Sequence, residues 1–362
     1  MRNILKCFLL IGVTIFLVSL FSCDKNSSSN GEKDSSSNGE KDLNPPFSQQ
    51  SMPGKYVGNI TVDSKGGLWL QTNEIDTTDQ MPPWSSYIPM RSYLSRFFDK
   101  SFEVYDNKFM GAGDMIVDKY DRLWFISNNK VFYLDNNKFN EVYKGSDDQG
   151  YFEWITTDRQ NNIWAAGYNV PLMKITLGSE IKLNILSDTQ ISLNSPAGCF
   201  DNDNNLWLIM YPQNIGRRDT SGNWTFYNPD NSSLPYQAFW CITADNESHI
   251  WVGTGYSNPA INLMKFNGAN WESVTIRDDN GSIDTGTVRH LYNAGGRIWI
   301  VTELAENAAF AGNYLITFDG TSWKRINEIP SDDGISDIAF DLTARKVWIA
   351  SWNKGLLKVN IE

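Results

Sequence analysis

Apolar and polar positions recur along the chain in one pattern, which is repeated seven times. Each copy has a short apolar segment that ends in Asp or Asn, then a polar turn, and then a second apolar segment that contains a Trp. Six of the seven gaps from the Asp or Asn to the Trp are six residues long, and the last is seven. The tryptophans are spaced 55, 40, 43, 44, 48 and 49 residues apart: Trp69, Trp124, Trp164, Trp207, Trp251, Trp299 and Trp348. A period of roughly 40–50 residues is typical of β-propeller repeats.

Each repeat divides into four short strands, named a to d in chain order. Strand a precedes the Asp, strand b contains the Trp, and strand c leads through a tight hairpin to strand d. The hairpins contain Asn267-Gly268, Asp319-Gly320 or Ser221-Gly222, which suit the positive φ angles of such turns. The pattern therefore predicts an all-β fold, a seven-bladed β-propeller of four-stranded antiparallel blades. We expect the strand-b tryptophans to form the core between blades.

The seventh repeat ends before it can supply a strand d, because only three residues follow Val359. A segment near the start of the repeat region, at about residues 47–50, has no other place in the pattern. We predict that it pairs into blade 7 and closes the ring, which removes the exposed strand edges of an open array. The propeller domain is thus predicted to span residues 47–362.

The first 46 residues are predicted to contain a signal peptide, a lipid anchor and a flexible tether. Residues 1–22 have a short basic start and an apolar run, which is typical of a secretory signal peptide. Cys23 follows in a segment that resembles a bacterial lipoprotein box, so we expect lipidation of Cys23. Residues 23–46 contain the polar octapeptide Ser-Ser-Ser-Asn-Gly-Glu-Lys-Asp twice, and such a segment cannot bury enough apolar surface to fold. These features predict a lipid-anchored protein of the cell envelope, most simply of the outer membrane. They agree equally with the periplasmic and the surface side of that membrane.

The composition excludes several kinds of protein. The chain has 42 Asp and Glu against 31 Lys and Arg, a formal charge of -11, which disfavours a nucleic-acid partner. Two His and four Cys are too few for a multi-His metal centre or a dense disulfide scaffold. We therefore expect no cofactor and no metal. Cys199 and Cys241 lie on strand a of adjacent blades and point in the same sense around the ring, so no disulfide is predicted between them.

An Asp stands at the start of the turn between strands a and b in most repeats. Calcium binding is one interpretation, since these turns are rich in Asp and Asn. The simpler interpretation is that each Asp side chain binds the backbone amides of its own turn. We favour the second interpretation for the five aspartates concerned, namely Asp63, Asp118, Asp158, Asp201 and Asp245.

One string in the repeats has a known counterpart. The segment Asn246-Glu-Ser-His-Ile-Trp-Val-Gly-Thr254 resembles the "two-component regulator propeller" repeats, and the likeness covers residues 47–362. This resemblance implies a propeller of the kind that forms sensor ectodomains of bacterial hybrid histidine kinases and that also occurs in free-standing envelope lipoproteins. It implies little about ligands, because propellers support many activities.

Aromatic residues are concentrated where strand a is entered and where strand b ends, which are at the same face of a propeller. Flat aromatic rings among Glu and Arg side chains suit a sugar, because rings stack on its C–H groups and polar groups bind its hydroxyls. The alternative is that half of these residues pack between loops and blades. The candidate ligand-binding residues are Trp84, Glu153, Trp154, Tyr168, Tyr211, Trp240, Tyr256, Arg289 and Trp352.

Catalysis would depend on one of the two histidines. His290 stands at an apolar position of strand a, beside Arg289, and could act as a general base like that of streptogramin lyase-like propellers, whose repeats look similar. A buried histidine between blades is the alternative that we favour. His249 lies in a turn at the opposite face, and we expect it to be solvated.

Three functions remain open from the sequence. The leading hypothesis is an envelope lipoprotein whose propeller binds an extracellular ligand, above all a glycan, without catalysis. The second is a scaffold for other envelope proteins, and the third is a polysaccharide lyase or hydrolase that uses the propeller face.

Overall fold

The computed structural model describes residues 56–75, 90–106, 112–145, 150–186, 195–211, 214–236, 238–254, 262–282, 285–304, 313–327, 329, 334–351 and 354–361. All described residues belong to one compact unit, which lies within Asp42–Glu362. No helix in the described ranges is long and apolar enough to cross a membrane. The predicted signal peptide, Cys23, the tether and the closing strand at residues 47–50 lie outside the described residues.

Seven antiparallel sheets follow one another along the chain and form the seven predicted blades. Blade 1 contains β1 (Tyr56–Val62), β2 (Leu68–Ile75), β3 (Met90–Phe98) and β4 (Ser101–Asp106). Blade 2 contains β5 (Ala112–Val117), β6 (Leu123–Ser127), β7 (Lys130–Asp135) and β8 (Lys138–Lys144). Blade 3 contains β9 (Tyr151–Thr157), β10 (Ile163–Tyr168), β11 (Leu172–Leu177) and β12 (Ile181–Leu186). Blade 4 contains β13 (Gly198–Phe200), β14 (Leu206–Met210), β15 (Asn214–Arg218) and β16 (Trp224–Tyr227).

The remaining blades follow the same order. Blade 5 contains β17 (Phe239–Ala244), β18 (Ile250–Thr254), β19 (Leu263–Phe266) and β20 (Trp271–Ser273), and a small hairpin of β21 (Arg277–Asp278) and β22 (Gly281–Ser282) follows it. Blade 6 contains β23 (Thr285–Ala294), β24 (Arg297–Leu304), β25 (Asn313–Phe318) and β26 (Trp323–Arg325). Blade 7 has three described strands, β27 (Ile335–Asp341), β28 (Lys346–Ser351) and β29 (Gly355–Asn360).

The ring closes between blade 7 and blade 1. The backbone N–H of Ile60 donates to Asp337 Oδ2 at 2.8 Å, and the Ser336 hydroxyl donates to the carbonyl of Val57 at 2.6 Å. Trp348 of blade 7 packs in one buried cluster with Val57, Ile60 and other residues of blade 1. The first and last described blades are therefore joined by both polar and apolar contacts.

The core consists of seven buried clusters, each between two neighbouring blades. Each strand-b Trp packs against the blade that follows it: Trp207, for example, shares a cluster with Phe239 and Ile250 of blade 5. Burying such large apolar side chains stabilises the fold by roughly 1.5–3 kcal/mol each. The prediction that these tryptophans form the inter-blade core is confirmed.

In blades 2 to 5 a hydrogen bond accounts for the gap of six residues between Asp and Trp. In the first five turns, Asp Oδ1 accepts the backbone N–H four residues later at 2.8–3.0 Å. In blades 2 to 5 the second oxygen, Oδ2, accepts the Trp indole N–H at 2.7–2.9 Å, from Trp124, Trp164, Trp207 and Trp251. The interpretation that the Asp side chains bind their own turns is confirmed, and in blades 2 to 5 the Asp also ties its turn to the core Trp.

Blades 1, 6 and 7 depart from this arrangement. In blade 1, Arg96 binds Asp63 Oδ2 in place of the indole. In blade 6 the indole of Trp299 donates to the carbonyl of Ala294 at 3.1 Å. The indole nitrogens of Trp69 and Trp348 are buried and have no hydrogen-bond partner among the described residues.

Candidate functional site

The two ends of the propeller have different roles in the chain. We call the end that carries the turns between strands a and b the turn face. We call the opposite end, where strands a begin and strands b end, the entry face. The candidate residues Trp84, Tyr256 and Trp352 lie outside the described residues, and so does the lipidation candidate Cys23.

β-bulges at the entry face decide where several candidate side chains point. In blade 3, Trp154 pairs with Ala166 and Phe152 pairs with Gly167, so Glu153 is the extra residue of a bulge. Trp240 is the extra residue in blade 5, and Arg289 holds the same role in blade 6. A bulge breaks the alternation of a strand and redirects the side chain of the extra residue.

The bulge at Glu153 depends on a glycine in the adjacent strand. A Cβ atom at Gly167 would lie 2.3 Å from the carbonyl oxygen of Tyr151 and 2.6 Å from the backbone nitrogen of Glu153. Gly167 therefore allows strand a to approach strand b closely enough to form the bulge. This glycine, three residues after Trp164, is the signal in the sequence that could have located the bulge.

Glu153 and three tyrosines form a group that we call the Glu153 cluster, composed of Tyr151, Glu153, Tyr168 and Tyr211. The rings of Tyr151 and Tyr168 stack with centroids 5.5 Å apart, and Tyr151 is 45% exposed. Burial raises the pKa of Glu153 to about 7. Burial and then the charge of Glu153 raise the pKa values of Tyr151 and Tyr211, so both phenols lie close to this carboxylate. The structure thus brings together the predicted residues Glu153, Tyr168 and Tyr211.

A second group at the entry face contains Trp240, Arg289 and Glu303. Trp240 is 38% exposed, and the guanidinium of Arg289 lies 5.9 Å from its ring centroid. Arg289 donates through Nε and Nη2 to Glu303 Oε1 at 2.7 and 2.5 Å. Sequence reasoning missed Glu303, whose carboxylate neutralises Arg289 and holds it beside the indole.

The structure corrects the expectation for Trp154. Its side chain is only 4% exposed and packs in the core with Trp164 and Leu208, so it offers no ring to a ligand. Gly198 makes room for it, since a Cβ there would lie 2.8 Å from Trp154 Cζ2. Trp154 therefore belongs to the inter-blade packing that the sequence left open as the alternative.

Both histidines are partly buried. His290 pairs with Val301, and its ring lies 6.1 Å from that of Tyr292. Burial and then the charge of Arg289 lower the pKa of His290 to about 4, so its ring is neutral at physiological pH. His249 lies at the turn face as expected, with its side chain 21% exposed and its Nδ1 2.9 Å from Asp245 Oδ2.

A cavity of about 260 Å³ lies against the innermost strands of blades 1, 2, 6 and 7. Two carboxylates line it and join neighbouring blades: Asp114 accepts the N–H of Ile155, and Asp337 accepts the N–H of Ile60 and the hydroxyl of Tyr292. Burial and then the charge of Asp337 raise the pKa of Asp114 to about 7, and burial raises that of Asp337 to about 6. Sequence reasoning did not identify this pair.

Metal and disulfide chemistry find no support in the part of the chain that is described. No group of three or more His, Cys, Asp or Glu side chains there could hold a metal ion. Cys199 and Cys241 are free thiols, and burial is the first cause that raises both of their pKa values. Neither thiol is therefore activated as a nucleophile.

Comparison with known proteins finds likeness in structure only. No family model matches the sequence, and no curated protein matches it. A catalytically inactive variant of virginiamycin B lyase from Staphylococcus aureus, solved with quinupristin, is 17% identical with a TM-score of 0.61, over 85% of this chain and 95% of the lyase.

Extracellular domains of bacterial signalling proteins are similar to the same extent. One domain, from a hybrid two-component system of Bacteroides thetaiotaomicron, is 16% identical with a TM-score of 0.59, over 86% of this chain and 40% of that one. Another from the same organism is 14% identical with a TM-score of 0.61, over 86% and 42%. At these identities the likeness shows the fold alone: the chain is a β-propeller, similar both to streptogramin-type lyases and to the extracellular domains of Bacteroides two-component systems.

Proposed function

We propose that this protein is a lipid-anchored envelope protein whose propeller binds an extracellular ligand, above all a glycan, without catalysis. The observation that carries the proposal is the Glu153 cluster, in which the exposed Tyr151 stacks on the partly exposed Tyr168 beside a carboxylate with one buried oxygen at the entry face. A sugar ring needs a flat apolar surface for its C–H groups and a few fixed polar groups for its hydroxyls. The Glu153 cluster offers the flat surface and the polar groups together, at the ends of strands in blades 3 and 4.

The Trp240 group extends this surface. Its indole is partly exposed, and the ion pair between Arg289 and Glu303 holds polar atoms next to the ring. A second ring-and-charge group on the same face suits an extended ligand with several units better than a single small molecule. Because Glu303 neutralises Arg289, this group would act by stacking and hydrogen bonding rather than by net charge.

The envelope location is inferred from the first residues of the chain. The basic start, the apolar run and Cys23 support export and lipidation, and the duplicated polar segment supports a tether. The structural likeness to extracellular domains is consistent with the cell envelope. The lipid chains would provide the membrane attachment, because the charge of -11 gives no attraction to anionic lipids.

A lyase or hydrolase function has less support. A general base works best with a pKa near the working pH, whereas the pKa of His290 is lowered to about 4. Its position inside strand a, across from Val301, also fits a packing role between blades. The likeness to the lyases concerns the fold and adds no argument for their reaction.

The proposal is tested with a glycan array probed by the mature protein. The double variant Tyr151→Ala/Tyr168→Ala removes the stacked pair and should abolish binding of any glycan that the unaltered protein retains. Tyr120→Ala is the matched control, because Tyr120 is an equally exposed tyrosine on the turn face. Binding that survives in the double variant, or that is absent from the unaltered protein across the array, contradicts the proposal.

A further inference from the structure

Glu153 differs from Glu303 and Asp158 because no described cation pairs with it and no described donor reaches its buried oxygen. Its Oε2 atom is buried and has no hydrogen-bond partner among the described residues. By contrast, Glu303 is paired with Arg289, and Asp158 has Lys174 at 3.5 Å. An unpaired carboxylate in a poorly solvated place is costly, so proteins keep one mainly where something else will pair with it.

The backbone holds Glu153 in this position. The bulge makes it the extra residue between Phe152 and Trp154, and both of these neighbours are buried in the core. Because the two flanking side chains are anchored, the Glu153 side chain cannot be moved to solvent by a simple shift of the strand. The backbone at Glu153 is therefore fixed at the entry face.

The surroundings of Glu153 are aromatic. Tyr151 and Tyr168 present stacked rings, and Tyr211 lies near enough for the Glu153 charge to raise its pKa. Tyrosine faces attract cations through the negative potential of the ring. Burial and then the charge of Glu153 raise the pKa values of Tyr151 and Tyr211, so these two phenols are neutral at physiological pH, whereas burial raises the pKa of Glu153 to about 7.

We infer that the Glu153 cluster binds an ammonium group of the ligand, with the Glu153 carboxylate as counter-ion and the tyrosine rings as walls. For a glycan, the corresponding unit is an amino sugar with a free or methylated amine rather than an N-acetylated one. The inference rests on the proposed function for the place of the site, while its chemistry can be tested separately. The negative charge of the whole chain also favours the approach of a cation.

The test compares three probes by isothermal titration calorimetry with the mature protein. The first is an N-trimethylated chito-oligosaccharide, whose charge is independent of pH, and the second is the N-acetylated oligosaccharide of the same length. The third is choline, which carries the ammonium group without a sugar. Each probe is titrated at pH 6, 7 and 8 into the unaltered protein, into Glu153→Gln, and into Glu272→Gln, an exposed glutamate on blade 5.

The trimethylated sugar is expected to bind on the order of tenfold more tightly than the N-acetylated one at pH 8. The preference should grow from pH 6 to pH 8 as Glu153 ionises, vanish in Glu153→Gln, and persist in Glu272→Gln. Equal binding of the two sugars, or a preference that survives in Glu153→Gln, overturns the inference while leaving glycan binding intact. Binding that weakens as the pH rises would assign a protonated Glu153 to a neutral ligand and also overturns it. Choline binding that depends on Glu153, without binding of any glycan, supports the inference and contradicts the proposed function.

Discussion

The turn face and the entry face use their acidic side chains in opposite ways. At the turn face, burial raises the pKa of Asp158, but hydrogen bonds from Asn162 and the Trp164 indole outweigh it, and the pKa is lowered. At the entry face, burial acts on Glu153 without such donors and raises its pKa to about 7. The comparison teaches that carboxylates of the turn face are hydrogen-bonded and stabilise the fold, whereas Glu153 at the entry face is available to contact a ligand.

The turn face also joins neighbouring blades to one another. The backbone N–H of Arg159 donates to Asn204 Oδ1 at 2.7 Å, which links blades 3 and 4. Asn202 Nδ2 donates to the carbonyl of Asn246 at 2.7 Å, and Asn293 Nδ2 donates to Asn246 Oδ1 at 3.0 Å. These bonds extend the linkage to blades 5 and 6, so side chains of the turn face connect four consecutive blades.

The largest expected effect is the loss of a turn aspartate. Asp158→Ala removes the acceptor of two backbone N–H groups and of the Trp164 indole, and leaves the Asn162 N–H and the indole buried without this acceptor. We expect the free energy of unfolding to fall by about 3 kcal/mol, the cost of losing hydrogen bonds to a buried charge. Denaturant unfolding followed by tryptophan fluorescence measures this loss.

Asp219→Ala provides the control for that prediction. Asp219 makes the same contact with the backbone four residues later, at Asn223, but this hydrogen bond is exposed and no indole of the described residues donates to the carboxylate. Its loss should therefore be much smaller than that of Asp158. Equal losses in the two variants would mean that the tie between turn and core contributes little.

The second prediction is that removal of a carboxylate at the entry face raises the stability of the protein, whereas removal at the turn face lowers it. The folded-state pKa of Glu153, about 7, lies above its ordinary value, so its stability contribution is full below about pH 4.5 and is lost as the pH rises through about 7. Glu153→Gln should therefore stabilise the protein by about 2 kcal/mol at pH 8 and have little effect at pH 4. Thermal unfolding at both pH values measures this, with exposed Glu272→Gln as the control.

A gain in stability from Glu153→Gln would show that carboxylates at the two faces have opposite effects on the stability of the fold. A variant that folds better but loses its ammonium preference would show that Glu153 is kept for binding at the expense of stability. A destabilised variant at pH 8 would instead place Glu153 among the groups that hold the blades together. That outcome would remove the contrast with the turn face.

The third prediction concerns the carboxylate pair at the inner cavity. Asp114 and Asp337 have folded-state pKa values of about 7 and about 6, above the ordinary value, so their contribution to stability is present at low pH and is lost as the pH rises through these values. The turn aspartates Asp158 and Asp245 have lowered pKa values, so their contribution is lost as the pH falls. Asp337→Asn should flatten the decline in unfolding free energy between about pH 4.5 and 7.5 by on the order of 2 kcal/mol.

Urea unfolding across this pH range measures the decline. Asn keeps an oxygen that can accept the N–H of Ile60 but has no proton to lose, so it isolates the titration from the hydrogen bond. Asp279→Asn, in an exposed hairpin turn, should leave the pH profile unchanged. A profile for Asp337→Asn that matches the unaltered protein would show that the pair does not titrate in this range.

The blades could be predicted from the sequence because their determinants are local. An Asp that binds both its own turn and an indole six residues later imposes a fixed spacing, as at Asp201 and Trp207. The entry face could not be predicted to the same degree, because a bulge decides which of two neighbours points inward. Glu153 and Trp154 were equal candidates in the sequence, yet one lies at the face and the other in the core.

The proximity of Asp114 and Asp337 could not be predicted from the sequence for a different reason. Asp114 and Asp337 belong to blades 2 and 7, and they influence one another only because the ring closes around blade 1. Nothing in the spacing of either residue indicates this proximity. The pairing of Glu303 with Arg289 is local to blade 6, but it depends on the bulge that redirects Arg289.

The smallest expected effect tests the indole hydrogen bond itself. Trp124 donates to Asp118 at 2.7 Å, whereas the indole nitrogen of Trp69 has no partner among the described residues. Trp124→Phe and Trp69→Phe remove similar apolar volume, so their difference in unfolding free energy reports the hydrogen bond. We expect Trp124→Phe to cost about 1 kcal/mol more than Trp69→Phe. Equal costs would mean that the six-residue spacing is maintained by the packing of the indole, and that the turn face and the core are joined by apolar contact alone.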